Sequence, residues 1–227
     1  DLPSFAEPEA QVVAANALVA LDMPEPGWNL GAEWQAIAAE RHMIRRRLRD
    51  ADELAQVCKL REDERALRSK LADQLKQQGW RDASVRQLIE WEPDDPHRAA
   101  SFFDKTWMFN LREGFDIVIG NPPYLGERKN KPHFLAVQQS PLGRYYLGRM
   151  DYFYFFFHLA IDLLAEGGVG AFLTTNYFPT ALGARKLRTD LKNRTTLLEL
   201  IDFHETKIFE GAAGQHTALR DALDERG

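Results

Sequence analysis

From residue 115 onward, short apolar runs alternate with longer amphipathic stretches, and this alternation constrains the fold more than any other feature. Apolar runs at residues 115–120, 169–175 and 197–203 predict strands. An aromatic-rich stretch at residues 151–164 and a basic stretch at residues 180–193 predict helices. Strands that alternate with helices are typical of an α/β protein. We therefore expect a mainly parallel sheet that helices cover on both faces.

The first ninety residues follow a different pattern. An apolar segment at residues 11–21 predicts a short strand that ends near Ala15 and Asn16, followed by a turn or a short helix. In residues 31–90, apolar side chains recur every three or four positions and no proline interrupts them. This spacing predicts one or two long amphipathic helices that end at Gly79.

Residues 91–114 predict a connector between the helical part and the α/β part. Prolines at positions 93 and 96 are incompatible with a continuous helix there. The aromatic side chains of this connector are expected to pack inward: Phe102, Phe103, Trp107 and Phe109.

Composition excludes several classes of protein. No apolar run approaches the roughly 20 residues that span a bilayer, so we expect no membrane protein. The net charge of -5 is not that of a protein whose whole surface binds nucleic acid. Cys58 is the single cysteine, so an internal disulfide is excluded. The histidines lack the spacing of a metal site, and we expect no metal.

The residues most informative about chemistry are Asn121, Pro122, Pro123 and Tyr124, which directly follow the strand at 115–120. In an open α/β sheet, ligands bind at the carboxyl ends of the strands. Two prolines stiffen the turn and remove two N–H donors, which leaves carbonyl acceptors beside an Asn amide and an aromatic ring. This set suits an exocyclic amino group on a planar ring. The Asn oxygen and a proline carbonyl each accept one N–H, and Tyr124 stacks on the ring.

Accepting both hydrogens of such an amine directs the nitrogen lone pair out of the ring plane. A poor nucleophile then improves without a strong general base. A base inside a duplex reaches such a pocket only after it is flipped out, which costs a few kcal/mol. The alternative is a proline-rich turn that simply ends a strand, with Tyr124 as a packing residue.

The segment Gly120-Asn121-Pro122-Pro123-Tyr124 resembles the catalytic motif of the gamma-class DNA adenine-N6 methyltransferases, which occur alone or fused in type IIG restriction–modification enzymes. Four further segments resemble that family in the same order. They are residues 13–18, 151–168, 169–177 and 200–217. The resemblance implies a Rossmann-like sheet, S-adenosylmethionine as the cofactor, duplex DNA with a flipped adenine as the substrate, and the bacterial cytoplasm as the location.

The resemblance also implies roles for single residues. Asn121 and Pro122 would hold the target amine, Pro123 would keep the turn rigid, and Tyr124 would stack on the flipped adenine. Phe209 matches an aromatic residue that packs against the flipped base. Residues that match cofactor-binding positions are Asn16, Phe156 and Asp151. Other interpretations remain open, because Phe156 and Phe209 are also suited to core packing, and Asn16 and Asp151 to capping a helix.

The sequence departs from the family at both ends. The family begins with a strand and a glycine-rich turn for the methionine part of the cofactor, and it continues into a target-recognition domain. Neither pattern is found here, so we expect a fragment or a decayed copy. The missing first strand would leave an open edge beside the strand that carries the turn. We divide the chain into a partial cofactor-side strand region at 1–30, a helical insertion at 31–90, a catalytic core at 91–219 and a frayed polar tail at 220–227.

Two other functions stay open. Methyltransferases that act on a glutamine side-chain amide use a similar turn, because an amide nitrogen poses the same chemical problem. The chain is also compatible with a non-catalytic remnant or a subunit that needs a partner, since its first cofactor strand is absent.

Overall fold

A computed structural model of the chain describes residues 13–21, 32–91, 98–204, 206 and 216–223. The chain divides into two compact units, Asp1–Asn110 and Leu111–Gly227. The boundary lies inside the stretch predicted as a connector, just before the first strand of the α/β part.

The first unit is helical. Its helices are α1 (Ala32–Arg49), α2 (Leu54–Gln77), α3 (Asp82–Glu90) and α4 (Lys105–Phe109). Leucines at seven- and four-residue intervals give α2 one apolar face, and Leu60, Leu67, Leu71 and Leu75 are all buried. Helix α2 ends where Gly79 adopts a φ of +85°, a conformation that glycine adopts without strain. The prediction of long helices that end at Gly79 is confirmed, and α3 is an additional short helix.

A buried arginine organises the core of this unit. Arg41 is 1% exposed, and its guanidinium lies over the rings of Trp91 and Trp107 at 4.6 and 4.4 Å. Glu64 lies 3.4 Å from Nε of Arg41 and 2.8 Å from Arg68. The carboxylate therefore compensates two buried cations, which are otherwise costly in an apolar core.

The N-terminal apolar segment forms two isolated parallel bridges, Ala15 to Ala100 and Ala20 to Phe103. The backbone N–H of Asn16 donates to the carbonyl of Ala100 at 2.8 Å, and a turn follows rather than a helix. The strand expected here is thus reduced to single bridges, and a capping role for Asn16 is wrong because no helix begins there. The inward packing of the connector is confirmed: Phe102 and Trp107 are buried, and Phe103 and Phe109 pack against them.

The second unit contains a four-stranded sheet and helices. The strands are β1 (Phe115–Gly120), β2 (Leu164–Thr175), β3 (Thr195–Asp202) and β4 (His216–Leu223). The helices are α5 (Lys131–Gln138), α6 (Phe153–Leu163) and α7 (Arg185–Arg194). The α/β fold class is confirmed, and the three predicted strands and two predicted helices all form, with boundaries shifted by a few residues.

The sheet is mixed, which corrects the expectation of a mainly parallel one. The strand order is β1-β2-β4-β3. β1 pairs with β2 in parallel, whereas β4 pairs antiparallel with both β2 and β3. Strands β1, β2 and β3 therefore run in one direction, and β4 is inserted between two of them in the opposite direction.

Strand β4 also corrects the prediction of a frayed tail from residue 220. Arg220 pairs with Ala171, and Asp221 pairs with Gly170 in the middle of the sheet. Asp221 is 2% exposed. The segment looks polar, but hydrogen bonds with strands on both sides satisfy its backbone groups. The last residues, 224–227, lie outside the described part.

Helices cover only one face of the sheet in the described part of this unit, which corrects the expectation of two covered faces. Phe157 of α6 packs on Phe172 of β2, with ring centroids 4.5 Å apart. The opposite face of β1 presents Ile117 and Ile119, which are 64% and 78% exposed. Among the described strands β1 has a neighbour on one side only, so it is an edge strand of the described sheet. No helix in the described residues is both long and apolar enough to cross a membrane.

Candidate active site

Polar side chains lie at the end of the sheet where β1, β2 and β3, which run in the same direction, all terminate. We call this end the carboxyl edge of the sheet. Asn121 follows β1, Asn176 follows β2, and Asp202 ends β3. Nδ2 of Asn176 lies 3.4 Å from both carboxylate oxygens of Asp202, so two of these strand ends are in contact. The carboxyl edge of the sheet is the expected position of a binding site in such a fold.

The turn after β1 is seated on this edge by close packing. A Cβ on Gly120 would lie 2.6 Å from the ring of Phe172, so only glycine fits without movement of that ring. Pro122 is buried, while Asn121 and Pro123 are exposed. One proline therefore anchors the turn, and the Asn amide remains accessible to a ligand.

Tyr124 forms a hydrogen bond within the turn. Its hydroxyl lies 2.6 Å from Oδ1 of Asn121 and 3.2 Å from the carbonyl oxygen of Leu173 in β2. A phenol has one proton, so it donates to one of these two acceptors at a time. Burial raises the pKa of Tyr124, which keeps the hydroxyl protonated and able to donate. The ring meets Phe153 edge to face, with centroids 6.1 Å apart and planes at 84°.

Asp151 lies beside this ring cluster and connects it to the loop after β2. Burial raises the pKa of its carboxyl group, and interactions with the side chains of Tyr177 and Tyr154 act against this rise. Burial also raises the pKa of Tyr177 to about 12, and the Tyr177 ring packs on Phe153 with centroids 6.4 Å apart. Phe153 thus contacts both the turn tyrosine and the loop tyrosine.

Sequence reasoning assigned no role to Asn176, Tyr177 or Asp202. The available signal was the position of Asn176 and Tyr177 directly after a predicted strand, the same position that made the turn at Asn121 informative. Asp202 is the second-last residue of the third predicted strand. It was not recognised because an acidic residue at a strand end has many ordinary explanations.

Comparison with known proteins connects this geometry to a family. The model of the Eco57I restriction-modification methylase family matches residues 19–209. The chain belongs to this family. The resemblance to restriction–modification methyltransferases is confirmed by this match, which spans both units and includes the turn at Asn121.

Two curated relatives of this Eco57I-family chain illustrate the likeness. It is 32% identical over 105 residues to the type II methyltransferase M.HincII of Haemophilus influenzae, covering 44% of this chain and 20% of the relative. It is 27% identical over 118 residues to the type II methyltransferase M.XhoI of Xanthomonas vasicola, covering 49% and 21%. The aligned part thus spans about a fifth of the length of these relatives.

Solved structures also resemble the Eco57I-family chain. One, described as a class I S-adenosylmethionine-dependent methyltransferase from Listeria monocytogenes, has a TM-score of 0.42 and 15% identity, and covers 63% of this chain and 41% of the other. Another, the N-methyltransferase NodS from Bradyrhizobium japonicum, has a TM-score of 0.30 and 15% identity, covering 63% and 67%.

The remaining predicted site residues lie in different parts of the chain. Phe156 is a half-buried residue of α6 whose ring meets Tyr152 at 5.9 Å. Asp151 precedes that helix without capping it, since the N-cap is Tyr152 and no side chain caps it. Asn16 is exposed in the first unit. Phe209 lies outside the described residues. Asn121, Pro122, Pro123, Tyr124, Asp151 and Phe156 therefore belong to one unit.

The described side chains contain no group of three or more His, Cys, Asp or Glu residues that could hold a metal ion.

Proposed function

We propose that this chain carries the catalytic turn of a DNA adenine-N6 methyltransferase of restriction–modification or phage defence, of the gamma class, with Asn121, Pro122, Pro123 and Tyr124 as its reaction site. The substrate is an adenine flipped out of duplex DNA, and S-adenosylmethionine supplies the methyl group. The observation that carries the proposal is the exposed Asn121 amide, which the Tyr124 hydroxyl holds at the carboxyl edge of the sheet.

The turn acts on the N6 amine through acceptors. Oδ1 of Asn121 accepts one N–H of the amine and the carbonyl of Pro122 accepts the other. The nitrogen lone pair is then aimed out of the adenine plane, where S-adenosylmethionine would supply an electrophilic methyl group with a neutral thioether as the leaving group. The methylated nitrogen then loses one proton to water, and no strong base is needed beforehand.

The Tyr124 hydroxyl has a second acceptor, which allows Oδ1 of Asn121 to be released. When the amine occupies Oδ1, the hydroxyl proton turns to the carbonyl of Leu173, 3.2 Å away. The phenol thus donates to Oδ1 of Asn121 before the substrate arrives and to the carbonyl of Leu173 afterwards. A buried polar group that loses its partner costs about 1–3 kcal/mol, and the second acceptor avoids this cost.

Phe156 and Asp151 fit the cofactor to different degrees. The ring of Phe156 is half-buried, so part of an aromatic face remains for the adenine of S-adenosylmethionine. The carboxyl group of Asp151 interacts with the side chains of Tyr177 and Tyr154, which suits a residue that positions Tyr177 better than one that contacts the cofactor. Asn16 and Phe209 remain proposed contacts to the cofactor and the flipped base.

The test measures methyl transfer to duplex DNA by the intact protein that carries this chain, with detection of N6-methyladenine by mass spectrometry. Asn121→Ala is expected to lower the rate by about 100-fold or more, as loss of a preorganised polar contact does in other enzymes. The matched control is Asn193→Ala. Because Asn193 is exposed on α7, its substitution is expected to leave the rate unchanged. Methylated glutamine in a protein instead of methyladenine, or equal rates in the two variants, would contradict the proposal.

A further inference from the structure

Several basic residues of the second unit fall into two groups when their contacts are compared. One group is occupied within the fold. Arg144 is paired with Asp162 at 2.8 Å, Lys186 donates to the carbonyls of Arg144 and Tyr146, and Arg188 donates to the carbonyls of Phe178 and Ala181. These three cations hold loops together, so they are poor candidates for binding an external ligand.

The other group consists of Arg128, Lys129, Lys131 and Arg149, which we call the cationic ridge. All four are exposed, and none has an ion pair with an acidic residue in the part of the chain that the structure describes. The acid next to them in sequence, Glu127, is directed elsewhere. It accepts a hydrogen bond from the hydroxyl of Tyr146, and the backbone N–H of Met150 donates to its other oxygen at 3.3 Å.

Backbone pairing brings the members of the ridge together beside the catalytic turn. Gly126 and Asp151 form an antiparallel bridge, and the N–H of Glu127 donates to the carbonyl of Met150 at 3.0 Å. Arg128 directly follows Glu127 and Arg149 directly precedes Met150, so the two cations are carried on adjoining segments of the chain. Tyr124 is only four residues before Arg128.

Arg149 is held in a backbone conformation that few residues adopt. Its φ is +53°, in the left-handed region that costs a non-glycine residue on the order of 1 kcal/mol. A Cβ on Gly183 would collide with the carbonyl of Arg149, so this close packing constrains the strained residue. The fold thus maintains a strained backbone at a position that presents a cation.

We propose that the cationic ridge binds backbone phosphates of duplex DNA next to the flipped base. The inference rests on the proposed function, because a flipped nucleotide that reaches Asn121 and Tyr124 brings its flanking phosphates to the loop that follows the turn. Contacts to phosphates position the duplex without reading its sequence. They also weaken with salt in a measurable way, since each neutralised phosphate contributes about 0.9 to the slope of log affinity against log salt.

The test measures binding of the intact protein to a labelled duplex at several salt concentrations, without cofactor. The variants are Arg128→Gln, Arg149→Gln and the double variant Arg128→Gln/Lys129→Gln. The control is Lys192→Gln, an exposed cation of α7 that carries the same change of charge. We expect the slope to fall by about one for each single variant and by about two for the double variant. The affinity loss is expected to be similar on every duplex sequence, and the control slope is expected to stay unchanged.

The outcomes separate this inference from the proposed function. Reduced slopes in a protein that forms no methyladenine would support the ridge while contradicting the proposed reaction. Normal methylation with unchanged slopes and unchanged KM for DNA in all ridge variants would overturn the ridge and leave the reaction standing. A parallel experiment measures binding of the same variants to vesicles of phosphatidylglycerol. If the variants lost vesicle binding while their binding to DNA stayed unchanged, the proposal that the ridge binds DNA would also be overturned. Circular dichroism melting of each variant shows whether the fold is retained.

Discussion

The hydroxyl of Tyr124 lies 2.6 Å from Oδ1 of Asn121, so the aromatic residue of the turn orients the amide of the same turn. Its alternative acceptor is the carbonyl of Leu173 in the neighbouring strand. The ring and the hydroxyl of Tyr124 therefore have separable tasks, and two substitutions distinguish them.

Tyr124→Phe keeps the ring and removes the hydroxyl. Asn121 loses the hydrogen bond that orients its amide before the substrate binds, worth about 0.5–1.5 kcal/mol, and we expect a decrease in kcat/KM of about tenfold or less. Tyr124→Ala also removes the stacking surface, which is worth about 1–3 kcal/mol per base, and we expect a larger decrease of about 5- to 150-fold in kcat/KM. Steady-state methylation of duplex DNA measures both. Equal effects of the two substitutions would contradict a stacking role for the ring.

Gly120→Ala tests the packing that seats the turn. The added Cβ would lie 2.6 Å from the ring of Phe172, and overpacking of this kind costs about 1–3 kcal/mol of the free energy of unfolding. The matched control is Gly126→Ala, where the nearest atom is Oδ1 of Asp151 at 3.7 Å and we expect little change. Urea denaturation measures both variants. Partial recovery in the double variant Gly120→Ala/Phe172→Leu would show that the ring is the obstacle.

Asp221→Asn tests the buried carboxyl of β4. Burial raises the pKa of Asp221 to about 6 from its ordinary 3.8, so the folded state binds more protons than the unfolded state between these values. Stability therefore falls as pH rises from about 4 to about 6. At pH 7 the ionised Asp221 costs the folded state on the order of 2–3 kcal/mol. We expect Asp221→Asn to raise the melting temperature at pH 7 and to lose this advantage near pH 4. An equal advantage at both pH values would contradict the assignment.

His158→Gln tests a buried histidine with the opposite pH dependence. His158 is 0% exposed, its Nδ1 lies 2.6 Å from Asp190, and its ring stacks on Tyr145. Burial lowers the pKa of His158 below its ordinary value, against the effect of Asp190. The unfolded state therefore binds more protons, and stability falls as pH decreases below about 6.5.

Substitution of His158 is expected to lower stability at pH 7 by about 1–3 kcal/mol, because Asp190 is left without its buried partner. It is also expected to flatten the decrease of stability between pH 6.5 and pH 5. Thermal melts at a series of pH values measure both effects. A variant whose pH dependence matched that of the parent chain would show that His158 does not titrate in this range.

Local sequence was sufficient for the features that depend on neighbouring residues. The period of apolar side chains predicted α6, α7, β1, β2 and β3, because burial of one face selects a helix or strand from its own pattern. Gly79 predicted the end of α2 for a conformational reason that belongs to one residue. The turn at Asn121 was recognised because its prolines and its position after a strand restrict the backbone whatever surrounds it.

Tertiary structure alone decided the features that depend on residues distant in the chain. Arg220 and Asp221 look like a solvated tail, yet β4 lies between β2 and β3, because hydrogen bonds from two neighbouring strands stabilise a segment with a weak pattern of its own. The contact between Asn176 and Asp202, the second acceptor for Tyr124, and the pairing of Glu127 with Met150 depend in the same way on contacts between distant segments. The sequence by itself identifies the residues of the site. The pairing of strands and loops decides which of these residues are in contact.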